Sequence, residues 1–340
     1  MKISCAAWAA RRNQEGLVPA HTDSRWLARW VAITGWLMLN LGPTDARAVL
    51  FFGTADPSYN TTPPGGALLN SGWQYEGSWG GFLGTTIAPN MFITATHVGG
   101  SVGGTFVFDG QNYTTTASFA SPDSDLTIWQ VSGTFSTYAP LYSGSDEVGK
   151  SLVVLGLGGQ RGSEVTVNEL KGWRHGPSDP TPVQRWGVNV VSGIINFGSG
   201  IGENLRVAFD SSAGGDEAQL SGGDSGGAVF IEQGGVWKLA GINRAVSGLY
   251  SETGQNGSGF SAAIFDEGGL YTGMDGNWHL VTDSSIDIPG NFYATRISSN
   301  SEWIASVVPE PRDYALFAAL ALLGFATLRR MTMCRAHSTR

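Results

Sequence analysis

Between residues 73 and 131 the chain breaks into six short runs of strand-forming residues, each stopped by a turn signal. The runs are 73–79, 81–88, 91–95, 104–109, 112–119 and 126–131, with Pro89-Asn90 and Asp109-Gly110 among the punctuation. Six strands of that length suit a small closed or nearly closed barrel, since closure leaves no edge unpaired. A link rich in Ser, Gly and Pro follows at about 132–148. Later strands are expected at 149–159, 163–168, 185–195, 204–210, 227–232, 236–243 and 259–265, and the last at 292–297. Ser298-Ser299-Asn300 are expected to cap a short helix from Ser301 to Val308. Residues 49–72, with Asp56-Pro57 and Pro63-Pro64-Gly65-Gly66, read as an extended N-terminal arm. Only 14 % of residues are charged and glycine contributes 49, which fits an all-β chain with many turns. The two cysteines, Cys5 and Cys334, leave everything between them without a disulfide. A domain of this size can bury enough core without one.

The ends carry two addresses. Arg25 and Arg29 precede the apolar run 30–39, Pro43 breaks it, and Ala46-Arg47-Ala48 offers an A-x-A cleavage site. Residues 1–48 are therefore expected to be a signal peptide, cut after Ala48 by a signal peptidase. Near the other end, Val308-Pro309-Glu310-Pro311 is followed by the apolar run 314–328 and then Arg329-Arg330. Residues 308–340 resemble the PEP-CTERM sorting signal of Gram-negative bacteria, which implies processing by an exosortase-type enzyme. The alternative is a plain membrane anchor, although the apolar run is shorter than the roughly 20 residues a spanning helix needs. Together the ends predict export across the inner membrane to the cell surface, outer envelope or medium. Of the 28 acidic and 20 basic residues, five acidic and eleven basic ones lie in these ends. That leaves 23 against 9 between them, a net charge near −14. Such a surface repels nucleic acid, so no nucleic-acid partner is expected.

Three stretches carry chemistry. Gly223-Asp224-Ser225-Gly226-Gly227 places glycines on both sides of a serine, which lets the backbone turn tightly and focus amide groups. An oxyanion hole needs that: donors about 3 Å from where negative charge develops. Upstream, Phe82 to His97 forms two apolar runs around a Pro-Asn turn and ends on a histidine. Between them, Ser124-Asp125-Leu126-Thr127-Ile128-Trp129-Gln130-Val131 sets an aspartate at the head of an alternating strand. At these places, and in this order, the sequence resembles the chymotrypsin/trypsin-type serine proteases, whose motifs read roughly GGSLIxPxxVLTAAHC, DIALLxL and GDSGG. The tail Phe292-Tyr293-Ala294-Thr295-Arg296-Ile297-Ser298-Ser299 resembles their YTRVSSYLDWI ending. The resemblance covers about 73–308, with some thirty additional residues between Arg244 and Pro289. It implies two six-stranded antiparallel β-barrels, the first at about 73–131 and the second at 149–308, with a short C-terminal helix.

A serine hydroxyl needs a base to take its proton as it attacks. Among His97, His175 and His279, only His97 follows a strand-turn-strand ending in small residues; His175 reads as a surface loop, and His279 lies in the additional segment. The base in turn needs an acceptor. Asp125 is expected to supply it, with Asp123 as the rival and Asp109 as a hairpin turn. The resemblance implies that the amides of Gly223 and Ser225 form the oxyanion hole. It also implies that Asp224 is buried against a cation which holds the loop: the α-ammonium of Val49 after cleavage, or Arg185 or Arg206. Counting six residues before the nucleophile lands on Gln219, which argues against preference for Lys or Arg at the cleaved bond. Ala245, Val246 and Ser247 are expected to border the substrate. No spacing suggests a metal site or cofactor. The function implied is a serine endopeptidase acting on polypeptides as a monomer. The alternative is a binding protein of the envelope or matrix that keeps the fold but has little or no activity. An α/β-hydrolase esterase is rejected, because the histidine precedes the serine and the context is β-rich.

Overall fold

The computed structural model describes residues 49–176 and 183–308. The expected signal peptide and the apolar run 314–328 of the sorting signal lie outside these residues.

The first barrel closes through six strands, Glu76–Trp79, Phe82–Ala88, Met91–Ala95, Thr105–Phe108, Gln111–Ala120 and Leu126–Val131. Neighbours are antiparallel, and the first strand pairs with both Phe82–Ala88 and Thr105–Phe108 to complete the ring. Alternation decides which side chains fill it: Phe106 and Phe108 are buried while Thr105 and Val107 face out. Trp79, Phe92, Phe106, Phe108, Trp129 and Phe135 make an aromatic interior, with the Phe92 and Phe106 rings stacked at 3.9 Å. Fully burying one such side chain contributes about 1.5–3 kcal/mol. Gly77 is needed here, since a Cβ on it would stand 2.3 Å from the Phe106 ring. Asp109 and Gly110, at φ of 50° and 68°, make the hairpin turn read from the sequence.

The second barrel closes through Ser151–Gly156, Arg185–Asn196, Glu203–Ala208, Ala228–Gln233, Val236–Val246 and Asn291–Arg296. Together the two closed six-stranded antiparallel barrels and the short helix Ser301–Val307 form the chymotrypsin-like fold. The expected runs 163–168 and 259–265 do form strands, and these lie outside the barrel. Arg161–Val167, Glu169–His175 and Ala262–Ile264 make a separate three-stranded sheet. Its Trp173 packs with Phe52, Phe209 and Phe265, so its apolar face is covered without entering the barrel. His175 accordingly lies in a strand rather than a loop.

The arm carries a two-residue strand. Val49, Leu50 and Phe51 are buried, and Leu50–Phe51 pairs antiparallel with Ala218–Gln219. An apolar Val-Leu-Phe run gains more from the second-barrel core, where Val49 and Phe51 sit, than from water. One further expectation needs correction: Asn300 makes no side-chain cap to the helix. Its amide instead donates to Arg296 O and its carbonyl oxygen accepts from Ser124 Oγ at 2.7 Å.

The link 132–148 is packed, with Phe135, Ala139 and Tyr142 buried. Glu147 closes it through paired bonds of 2.9 and 2.7 Å from Arg296. In the additional segment, Leu249–Ser251, Tyr271–Met274 and Asn277–Leu280 form a small sheet. The carboxylates of Glu169, Asp266 and Asp283 approach closely enough to share an ion. The fully buried Lys171 ammonium fills that position, bonded to all three. One further core matters for the site. Ala95, Leu126 and Ile128 of the first barrel pack with Ala228, Phe230 and Ile242 of the second and with Ile304 of the helix.

Candidate active site

Strand pairing brings the first two residues together. Ala95 lies opposite Leu126 at the end of the ladder between Met91–Ala95 and Leu126–Val131. One step beyond, Thr96 N donates to Asp125 O at 3.2 Å. A 3₁₀ turn, Thr96–Val98, then swings His97 over the barrel rim. Its backbone N–H donates to Asp125 Oδ1 at 3.0 Å, and its Nδ1 stands 2.6 Å from Asp125 Oδ2. Asp125 is therefore gripped twice by one residue, and 28 residues of separation suffice because the register does the work. The loop before it is anchored by the buried bond of Ser124 to Asn300.

Ser225 comes from the second barrel, in the loop between Ala218–Gln219 and Ala228–Gln233. Gly226 N donates to Asn243 O and Asn243 N to Gly227 O, while the Asn243 side chain donates to Leu155 O. These bonds hold the loop against two barrel strands. Ser225 Oγ then lies 2.7 Å from His97 Nε2. An aspartate, both imidazole nitrogens and a serine hydroxyl thus form one continuous chain. Because Asp125 is an acceptor, Nδ1 carries the proton and Nε2 accepts from the serine. Gly223 adopts φ of 100°, which a side chain disfavours. Its amide and that of Ser225 have no acceptor among the described residues.

The rival residues lie elsewhere. Asp123 is exposed and lines a polar cleft with Ser124, Asn196, Glu203 and Asn300. His279 is exposed in the additional sheet.

Asp224 is 1 % exposed. Its Oδ2 accepts from Ser221 N at 2.7 Å and Ser221 Oγ at 3.1 Å, and its Oδ1 has no hydrogen-bond partner. Burial pushes its pKa well above the ordinary value, against the lowering by Ser221, by the charge of Arg185 and by the Leu157 backbone N–H. Arg185 donates to Pro57 O, and its charge acts on Asp224. Arg206 is exposed and lies over Gly193, away from Asp224. Val49 is the close neighbour. A Cβ on Gly156 would stand 2.0 Å from Asp224 Oδ1 and 2.8 Å from Val49 Cγ2, so both crowd the same spot.

The cleft beside Ser225 holds about 110 Å³ and is bordered by Leu220, Ser221, Gly222, Ala245 and Val246. Gln219 does not border it, which corrects the count from the nucleophile. The residue is 1 % exposed in the strand paired with Leu50, and its Oε1 accepts from Leu220 N. Ser247 is also turned away, exchanging bonds with the Asn291 backbone. Neither Asp216 nor Glu217 borders the cleft: Asp216 accepts from Tyr59 and Asn60, and Glu217 from Asp210 N. Sequence reasoning passed over Arg244. It lies half-buried between this cleft and a second one of about 310 Å³ formed with His97, Asp125, Gly200 and Ile201. A lone arginine in the run Ala240-Gly241-Ile242-Asn243-Arg244-Ala245-Val246 was the signal.

The sequence matches no protein-family model and no curated protein. Among solved structures the chain is similar to a mutant of human heparin binding protein, with 16 % identity and a TM-score of 0.43, covering 71 % of this chain and 94 % of that one. It is also similar to the passenger domain of plasmid encoded toxin, an autotransporter enterotoxin from enteroaggregative Escherichia coli. There the identity is 13 % and the TM-score 0.36, over 63 % of this chain and 20 % of that one. This chain thus matches about a fifth of that passenger domain. The account of the site rests on its own geometry.

Proposed function

We propose that this protein is an exported serine endopeptidase in which Ser225 is the nucleophile, His97 the general base and acid, and Asp125 the group that orients it. The observation that carries the reading is the chain of two short contacts from Asp125 through His97 to Ser225. His97 Nε2 removes the Ser225 proton as Oγ attacks a peptide carbonyl, and Asp125 stabilises the imidazolium. The amides of Gly223 and Ser225 receive the negative oxygen. His97 then protonates the departing amine, and water repeats the sequence to release the acyl group.

Cleavage after Ala48 completes the site in this reading. In the uncut chain Val49 N is a neutral peptide nitrogen, and Asp224 is left buried with one unpartnered oxygen. A new α-ammonium beside Asp224 supplies the missing cation, since a buried carboxylate needs a counter-charge. The signal-like and sorting-like ends of the sequence favour a site of action outside the inner membrane.

Treatment of the purified protein, cut after Ala48, with a fluorophosphonate tests the reading. Labelling on Ser225, lost in His97→Ala, is the expected result. A protein that binds without turnover stays unlabelled, and that outcome overturns the endopeptidase.

A further inference from the structure

Arg244 has unused bonding capacity at the centre of the site. Six arginines lie between residues 49 and 308. Arg161, Arg174, Arg185 and Arg296 donate to carbonyls or carboxylates, and Arg206 is solvated at the surface. Arg244 differs from both groups. Its side chain is 20 % exposed, and it is ion-paired with Asp125 at 3.8 Å from Nε, a separation too long for a hydrogen bond. No hydrogen bond reaches its side chain among the described residues. A guanidinium offers five donors in a rigid fork that matches a carboxylate in bidentate fashion.

Its position tells which carboxylate. Arg244 forms part of both clefts that flank Ser225, the small one with Leu220 and Val246 and the larger one with His97 and Ile201. The Phe197 ring lies 5.2 Å from the guanidinium carbon and supports it from one side. Among the described residues no other arginine or lysine borders either cleft. A substrate side chain next to the reacting carbonyl meets Leu220, Ala245 and Val246 in the smaller cleft or Ile201 in the larger one, together with a guanidinium that has free donors; Asp125 borders the larger cleft as well.

We infer that Arg244 selects a peptide with a glutamate or aspartate beside the cleaved bond, on its acyl side. The inference rests on the endopeptidase reading for its chemistry but not for its binding. An acidic side chain gains charge-assisted bonds at Arg244, whereas its amide counterpart gains weaker neutral ones.

The test uses paired peptides that differ only by Glu or Gln. One pair varies the residue whose carbonyl is cleaved, the other the residue before it, so the two clefts are read separately. Ser225 reactivity is first established with the fluorophosphonate. We expect kcat/KM to favour Glu by about tenfold or more at one position, and Arg244→Met to bring the ratio near one. Arg244→Lys should restore part of it, since charge returns without the fork. Should Arg244→Met fail to fold, Arg244→Gln serves the same purpose. A labelled enzyme with a ratio near one at both positions overturns the inference. So does a variant that loses rate equally on both peptides, because that is the behaviour of a group acting only through Asp125. The same peptides are also titrated onto Ser225→Ala by fluorescence anisotropy. A preference for Glu that vanishes with Arg244 supports the carboxylate site even if labelling and cleavage fail. Equal binding of the two peptides overturns it independently of the chemistry.

Discussion

The two barrels close with the same number of strands but prepare their halves of the site differently. In the first, tight turns join most strands, and His97 and Asp125 sit one or two residues beyond a ladder whose register is set by Ala95 and Leu126. Their geometry follows from pairing that exists as soon as the barrel does. The second barrel tolerates two long excursions between its strands, the sheet around Trp173 and the additional segment after Val246. Its contribution, Gly223 to Ser225, is a loop whose buried aspartate lacks a full set of partners. One half of the site is built into the fold; in the proposed reading the other half depends on a charge beside Asp224.

The severest test treats the halves alike. Ser225→Ala and His97→Ala should each lower kcat by on the order of 10⁴- to 10⁶-fold with the fold intact, as checked by circular dichroism. Activity above about a tenth of wild type in Ser225→Ala would break the proposed mechanism. Within the first half, Asp125→Asn should cost about 10⁴-fold by favouring the wrong tautomer. The exposed Asp123→Asn should change kcat by less than about threefold. A reversal of that order would mean that the rim geometry does not govern the rate.

The conditional half predicts a smaller effect. Protein retaining residues ahead of Val49 should be about 10²- to 10³-fold less active than the cut form, the cost of leaving one buried charge unpaired. Its His97–Asp125 contact should be unaltered, seen as an unchanged imidazole NMR signature. Full activity in the extended form would remove the terminus from the mechanism, and Arg185→Met would then be the variant to measure.

The same contrast explains what was legible in the sequence. The six first-barrel strands were read to within a few residues, because Phe106 and Phe108 alternate cleanly with outward residues and Asp109-Gly110 marks its turn. The motif residues Asp125, His97 and Ser225 were singled out, and the structure brings those three together. Leu50–Phe51 escaped notice because a two-residue strand has no period, and its partner, Ala218–Gln219, lies far along the chain. That same pairing buried Gln219 and spoiled the count to the pocket. Strands 161–167 and 262–264 were legible as strands but not their place in the fold, because periodicity reports a covered face, not what covers it. Arg244 went unread because its meaning depends on the two clefts it joins, which no local pattern encodes.

The smallest expected effect separates the barrels by their buried acids. Glu76 lies in the first barrel, 8 % exposed, with one bond from Thr85 Oγ1 at 2.8 Å and its second oxygen unpartnered. Burial raises its pKa to about 8, against a smaller lowering by Thr85. Glu217, beside the second barrel, is likewise raised to about 8 by burial. An acid with a raised folded pKa holds its proton when the unfolded chain has already lost one. The folded state then binds more protons, and stability falls as pH rises from the unfolded value near 4.5 towards 8. Glu76→Gln is neutral in both states and lacks this loss. Relative to wild type, the variant should therefore become more stable by about 2–3 kcal/mol between pH 5 and pH 7, in urea unfolding at the two values. Glu217→Gln should show a shift of the same sign. Its acid accepts an N–H from Asp210, a bond the amide oxygen of Gln can keep because the carboxyl it replaces is neutral at pH 5. Parallel pH profiles for wild type and Glu76→Gln would mean that this carboxyl is ionised in the fold and has found a partner that the first barrel does not supply.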